Sequence, residues 1–128
     1  MSILVIDDSR SLRLLLKTFL KKAGYADLLV AESAAQAFEM MGIPDPSGPP
    51  PGIRLILMYL NMPEIDGIEA CRRIKSVEAY KDVPILMVTS EADKEKLQQA
   101  FDAGAVDHVV KPMDRDDFLA KIAKYIKS

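Results

Sequence analysis

Five residue types that could do chemistry stand at the ends of short apolar runs in this 128-residue chain. Asp7-Asp8 follow Ile3–Ile6, Tyr59 follows Leu55–Met58, Thr89-Ser90 follow Ile85–Val88, and Lys111-Pro112 follow His108–Val110. Adjacent acids repel one another and favour a hard divalent cation, and Mg²⁺ takes oxygen ligands. A hydroxyl and an ammonium, from Thr89 and Lys111, suit the oxygens of a phosphoryl group. The plain alternative is that Asp8 caps a helix and Lys111 forms an ordinary ion pair with Asp7. One coincidence would favour that alternative; four at one edge favour a site. Tyr59 is the misfit, a phenol where the surroundings suit a carboxylate.

The elements that must position these residues follow from the hydrophobic pattern. The fifth apolar run is Leu28–Ala31, and the five runs alternate with amphipathic segments at Ser11–Ala23, Ala34–Met41, Ile68–Ser76, Lys94–Ala103 and Asp114–Ile126. Leu12, Leu15, Leu16, Phe19 and Leu20 share one helical face, as do Phe118, Ile122 and Ile126. Gly24, Gly104 and Ser33 supply stop and start signals. Strand alternating with helix predicts a parallel α/β sheet covered on both faces by right-handed crossovers. In such sheets ligands collect at the carboxyl ends of the strands, where these reactive residues lie. The pattern predicts one domain over residues 1–128.

Composition narrows the function classes. Apolar residues make up 49% and charged residues 28%, with a formal net charge of −2, so no basic footprint marks a nucleic-acid or anionic-membrane surface. Cys71 is the single cysteine, which excludes an intrachain disulfide and suits a reducing cytoplasm. No apolar stretch approaches the roughly 20 residues that cross a bilayer. The one compositional break is 42–52, with five of the eight prolines. It is expected to run partly as polyproline II in a surface loop, with a proline-recognition ligand as the lesser reading.

Taken together, Asp7-Asp8-Ser9, Leu60-Asn61-Met62-Pro63 with Asp66-Gly67, Thr89-Ser90, Ala103-Gly104-Ala105 and Val110-Lys111-Pro112 resemble the receiver domain of two-component response regulators. That family is flavodoxin-like, a doubly wound (βα)5 fold of sheet order 2-1-3-4-5, and the likeness spans essentially the whole chain. The resemblance implies Asp8 as a direct Mg²⁺ ligand, Asp7 as holder of metal-bound water and the Asn61 backbone carbonyl as a further ligand. It also implies Thr89 and Lys111 as partners of a bound phosphoryl group, a cis Lys111-Pro112 bond, and His108 at the position where an aromatic swings inward on activation. A free surface histidine is an equally good reading of His108.

Position 59 holds the phosphoacceptor aspartate in that family. A phenol with a pKa near 10 is a weak nucleophile and a poor Mg²⁺ ligand near neutral pH, and its hydroxyl projects further than a carboxylate. Aspartyl phosphorylation at Tyr59 is therefore expected to be lost, Mg²⁺ binding to weaken, and Lys111 to turn to Asp7 or Asp8. Three origins fit: a substituted receiver with its supporting residues intact, a pseudo-receiver acting through protein contacts, or a ring that mimics part of the activated arrangement near Thr89. The resemblance further implies a histidine kinase or phosphotransfer protein and a downstream target or fused output domain as partners. Direct nucleic-acid and membrane contacts are not expected. Leu14, off the core face of the first helix, is a candidate docking contact, and the face of helix four, strand five and helix five a candidate dimer surface. An enzyme is not expected: Asp7-Asp8-Ser9-Arg10 is no glycine-rich phosphate loop, a dehalogenase-type phosphatase needs one residue between its two acids where these are adjacent, and one His with one Cys assembles no triad.

Overall fold

The computed structural model describes residues 2–43, 52–90, 93–111 and 113–126. Its elements run β1 (Ser2–Ile6), α1 (Arg10–Lys22), β2 (Leu28–Ala31), α2 (Ala34–Met41), β3 (Ile53–Tyr59), α3 (Gly67–Lys75), β4 (Ile85–Thr89), α4 (Lys94–Asp102), β5 (Asp107–Val110) and α5 (Arg115–Tyr125), with a 3₁₀ turn at Glu78–Tyr80. All five strands are parallel in the order β2-β1-β3-β4-β5, as the alternation predicts. The proline-rich stretch at 44–51 and the Lys111-Pro112 bond lie outside the described residues.

Strand pleat divides the core into two layers. Leu4, Ile6, Ile56, Met58, Ile85 and Met87 face the side covered by α2, α3 and α4. Ile3, Val5, Leu55, Leu57, Leu86 and Val88 face α1 and α5. A strand buried on both faces reads as a continuous apolar run, not an alternating one, which is why these segments were legible. On α1, Leu12, Leu16 and Leu20 are buried, but Leu15 is 41% exposed and joins Leu14, at 54%, on the surface. The expected face was too wide: spacing by four residues holds the stripe on β1, and Leu15 falls a full position off it.

Caps fix the helix starts. Ser9 accepts from the Leu12 N–H, Ser33 from Gln36, Asp66 from Glu69 and Asp114 from Asp117. Ser9, not Asp8, caps α1, leaving Asp8 free for other work. Cys71 is buried on α3, with its Sγ 3.5 Å from the Ala103 carbonyl. Burial pushes its thiol up to about 11. Alkylation of native protein at pH 8 is therefore expected to run about a hundredfold slower than in denaturant; equal rates, followed by mass spectrometry, would contradict this burial.

Candidate functional site at the carboxyl edge

The sheet order places β1, β3, β4 and β5 side by side, so Asp7, Tyr59, Thr89 and Lys111 converge as the sequence predicts. Two main-chain bonds lock the edge: the Leu60 N–H donates to Val88 at 3.0 Å, and the Lys111 N–H donates to Thr89 at 2.8 Å. Thr89 is 2% exposed and Asp7 fully buried, while Asp8 is exposed.

Asp7 is the most constrained group. Its Oδ1 accepts from the Ser9 N–H at 2.7 Å, and its own carbonyl accepts from Arg13 Nη1 at 2.7 Å. Its Oδ2 is buried without a hydrogen-bond partner. Burial pushes the carboxyl above its ordinary value of 3.8, against the lowering effect of the Ser9 bond and of Lys111. A raised pKa in the folded state means that the native protein holds the proton more tightly than the unfolded chain does. Asp7 therefore costs nothing at low pH, and stability falls as pH rises from about 3.8 through the folded-state value. Asp7→Asn is expected to add about 1–2 kcal/mol at pH 7 and almost nothing well below pH 3.8. Denaturant melts at the two pH values would show it, and an equal gain at both would refute the assignment.

The phenol of Tyr59 is pushed above its usual value, first by burial and then by the carboxylates of Asp93, Asp7 and Asp8. It is neutral at physiological pH. Its ring packs against both core layers at the strand end. Lys111 did not take the expected partner. Its Nζ stands 3.8 Å from the centre of the Tyr59 ring, while its charge still lowers the Asp7 carboxyl. The ring offers a negative face, and the cation settles on it.

His108 is half-buried, edge-on to Phe101 of α4 at 6.0 Å between ring centres. Its Nδ1 is buried without a hydrogen bond, and burial, then Lys121, hold its pKa below 6.5. It is thus a packed ring and not a free surface histidine. The neighbouring Asp107 accepts from the Tyr125 hydroxyl at 2.8 Å and from Lys121 at 3.3 Å, tying β5 to α5.

Two residues of this edge escaped the sequence reading. Arg13 of α1 holds the Asp7 main chain and pairs with Glu32 at 3.7 Å. Asp93 stands at the cap position of α4. It is 7% exposed, makes no side-chain cap bond, and accepts instead from Asn61 Nδ2 at 2.6 Å, Ser90 Oγ at 2.8 Å and the Ser90 N–H at 3.1 Å. The bond to Asn61, then those to Ser90, hold its carboxyl below the ordinary range despite burial. An acid 32 positions from its partner leaves no local signal.

As a cation site the edge offers the orphaned Oδ2 of Asp7 and the exposed carboxylate of Asp8. Among the described residues no group of three His, Cys, Asp or Glu side chains is placed to hold a metal. The donor set fits Mg²⁺ in kind and falls one carboxylate short in number.

Residues 3–123 match the family described as the response regulator receiver domain. The chain is 34% identical over 122 residues to the chemotaxis protein CheY of Bacillus subtilis, covering 95% of this chain and 94% of that one. It superposes on the chemotaxis protein CheY4 of Vibrio cholerae with a TM-score of 0.85 at 28% identity, over 98% of both chains. The receiver domain of the sensor histidine kinase PA1611 of Pseudomonas aeruginosa, with a magnesium ion coordinated in its active-site cleft, shares the fold at a TM-score of 0.84 and 24% identity. Coverage from β1 through α5, with the sheet order and the acid, hydroxyl and lysine positions already described, leaves one conclusion: the chain belongs to the receiver domain family of two-component response regulators.

Proposed function

We propose that this chain, over residues 1–128, is a receiver module of two-component signalling that is silent at its acceptor position. The observation that carries the reading is the seat of Lys111: the cation suited to a phosphoryl oxygen rests on the Tyr59 ring instead. Receiver domains work between histidine kinases and output targets, so this one is read as a binding partner for both, with regulation through Mg²⁺-dependent aspartyl phosphorylation belonging to its Tyr59→Asp form.

In that form Asp8 and the Asn61 carbonyl would hold the ion, Asp7 would hold its water through Oδ2, and the ion would supply charge neutralisation of the phosphoryl oxygens. Thr89 and Lys111 would bind those oxygens from the other side. Asp7 is well suited, because its second oxygen has no protein partner to give up. In the present chain Tyr59 weakens the metal site and offers no nucleophile. Among the described residues no helix is long and apolar enough to cross a membrane, and a cytoplasmic place is part of the proposal.

A second reading is favoured by the same contact. A cation held on an aromatic face, worth about 0.5–2 kcal/mol, fixes Lys111 in one place with no phosphate present, as an adaptor acting by protein contacts alone would require. Acetyl phosphate with Mg²⁺, applied to both forms and followed by intact mass, separates the two. Labelling of Tyr59→Asp alone supports the silenced receiver; labelling of neither supports the adaptor.

A further inference from the structure

We propose that Asp93 is the positioning residue that couples the Asn61 loop to the start of α4. The inference rests on the receiver reading only for its metal arm. Three observations carry it. Asp93 stands at the cap position of α4 but gives the helix no side-chain bond. Both of its oxygens are spent across two loops, Oδ1 on Asn61 and Oδ2 on the Ser90 hydroxyl and N–H. The other end of the Asn61 amide is held by Lys96 Nζ at 3.1 Å, from the first turn of the same helix.

Asn61 is thus gripped from both ends by the helix that begins at Lys94. The Asn61 carbonyl is the neutral oxygen offered to a cation, and Ser90 directly follows Thr89. A buried, multiply bonded carboxylate is expensive to disturb, so a shift at either loop moves the other through Asp93. Events at the carboxyl edge therefore reach α4 by a route that does not pass through His108 or Lys111. The same grip orients the carbonyl before any ion arrives, as groups behind metal ligands commonly do.

The test has two arms. In the present chain, hydrogen exchange followed by mass spectrometry is expected to show residues 60–67 and 93–98 of Asp93→Ala exchanging at least about fivefold faster, with β1 and β2 unchanged. Asp93→Asn, which keeps an acceptor for Ser90 but loses the charge, should speed the 60–67 segment more than the other. Unchanged exchange at 60–67 in both variants overturns the proposal, as does a uniform rise across the sheet. In the Tyr59→Asp chain, titration with Mg²⁺ alone should show about a tenfold weaker affinity in Asp93→Ala and a smaller loss in Lys96→Met. Equal affinities across these variants overturn the positioning role. Should Tyr59→Asp bind no Mg²⁺ at all, the receiver reading fails, and the exchange arm still decides the coupling.

Discussion

Tyr59→Asp is expected to gain a labile phosphoryl group from acetyl phosphate and Mg²⁺ while the present chain gains none at that position. The expected rate difference is about a thousandfold or more, or about 4 kcal/mol of barrier. The size follows from what the ring removes. It replaces the nucleophile with a neutral phenol whose pKa is raised by burial and by three carboxylates. On the proposed reading it also leaves the cation site one carboxylate short, and it holds Lys111 on its face. Each loss acts on the same step, so restoring one residue should return all three together. Mg²⁺ affinity should rise by about tenfold or more in the same variant, measurable by titration. Comparable affinities, or labelling of the Tyr59 chain itself, would sink this account of the edge.

The largest structural loss is expected at Gly67. A Cβ built there would stand 2.7 Å from the Tyr59 carbonyl and 3.0 Å from the Leu60 Cα. Both are backbone atoms of the strand end, and the Gly67 N–H donates to the Leu60 carbonyl at 2.8 Å across the same gap. A side chain at this point must push the start of α3 away from β3. Gly67→Val is expected to cost about 3 kcal/mol, the upper part of the range for overpacked positions, and Gly67→Ala about 2 kcal/mol. Denaturant midpoints at constant slope would measure it. A loss below about 0.5 kcal/mol for both variants would mean that the helix start yields freely.

Strands and site converge from the sequence because both depend on patterns visible at short range. Apolar runs such as Leu55–Met58 are continuous since both faces of the sheet are covered, and each ends where the next loop supplies its polar residue. Asp66 and Gly67 do not form a turn: Asp66 caps α3 and Gly67 opens it. Gly67 is needed for close approach, and the left-handed residue of that loop is Glu64, at φ 68°. No local rule separates those two uses of glycine. Long-range choices were hidden for a different reason. Lys111 had two acids and a ring within reach, and no local pattern says that it rests on the ring. Asp93 carries the signature of a cap, yet its partner lies on another loop. Leu15 fitted a helical face whose true width only β1 defines.

The tolerance of the edge for so large a side chain has a consequence for inheritance. The Tyr59 ring lies half-buried over Lys111 at a strand end. Tyrosine and aspartate codons differ only at their first base. A lineage could therefore step between a phosphate-responsive and a phosphate-blind protein by a single transversion, in either direction, with the fold intact throughout. The acids, the threonine and the lysine would wait unchanged for the reversion. On the proposed reading, position 59 would then be a heritable on–off setting that selection changes without rebuilding anything around it.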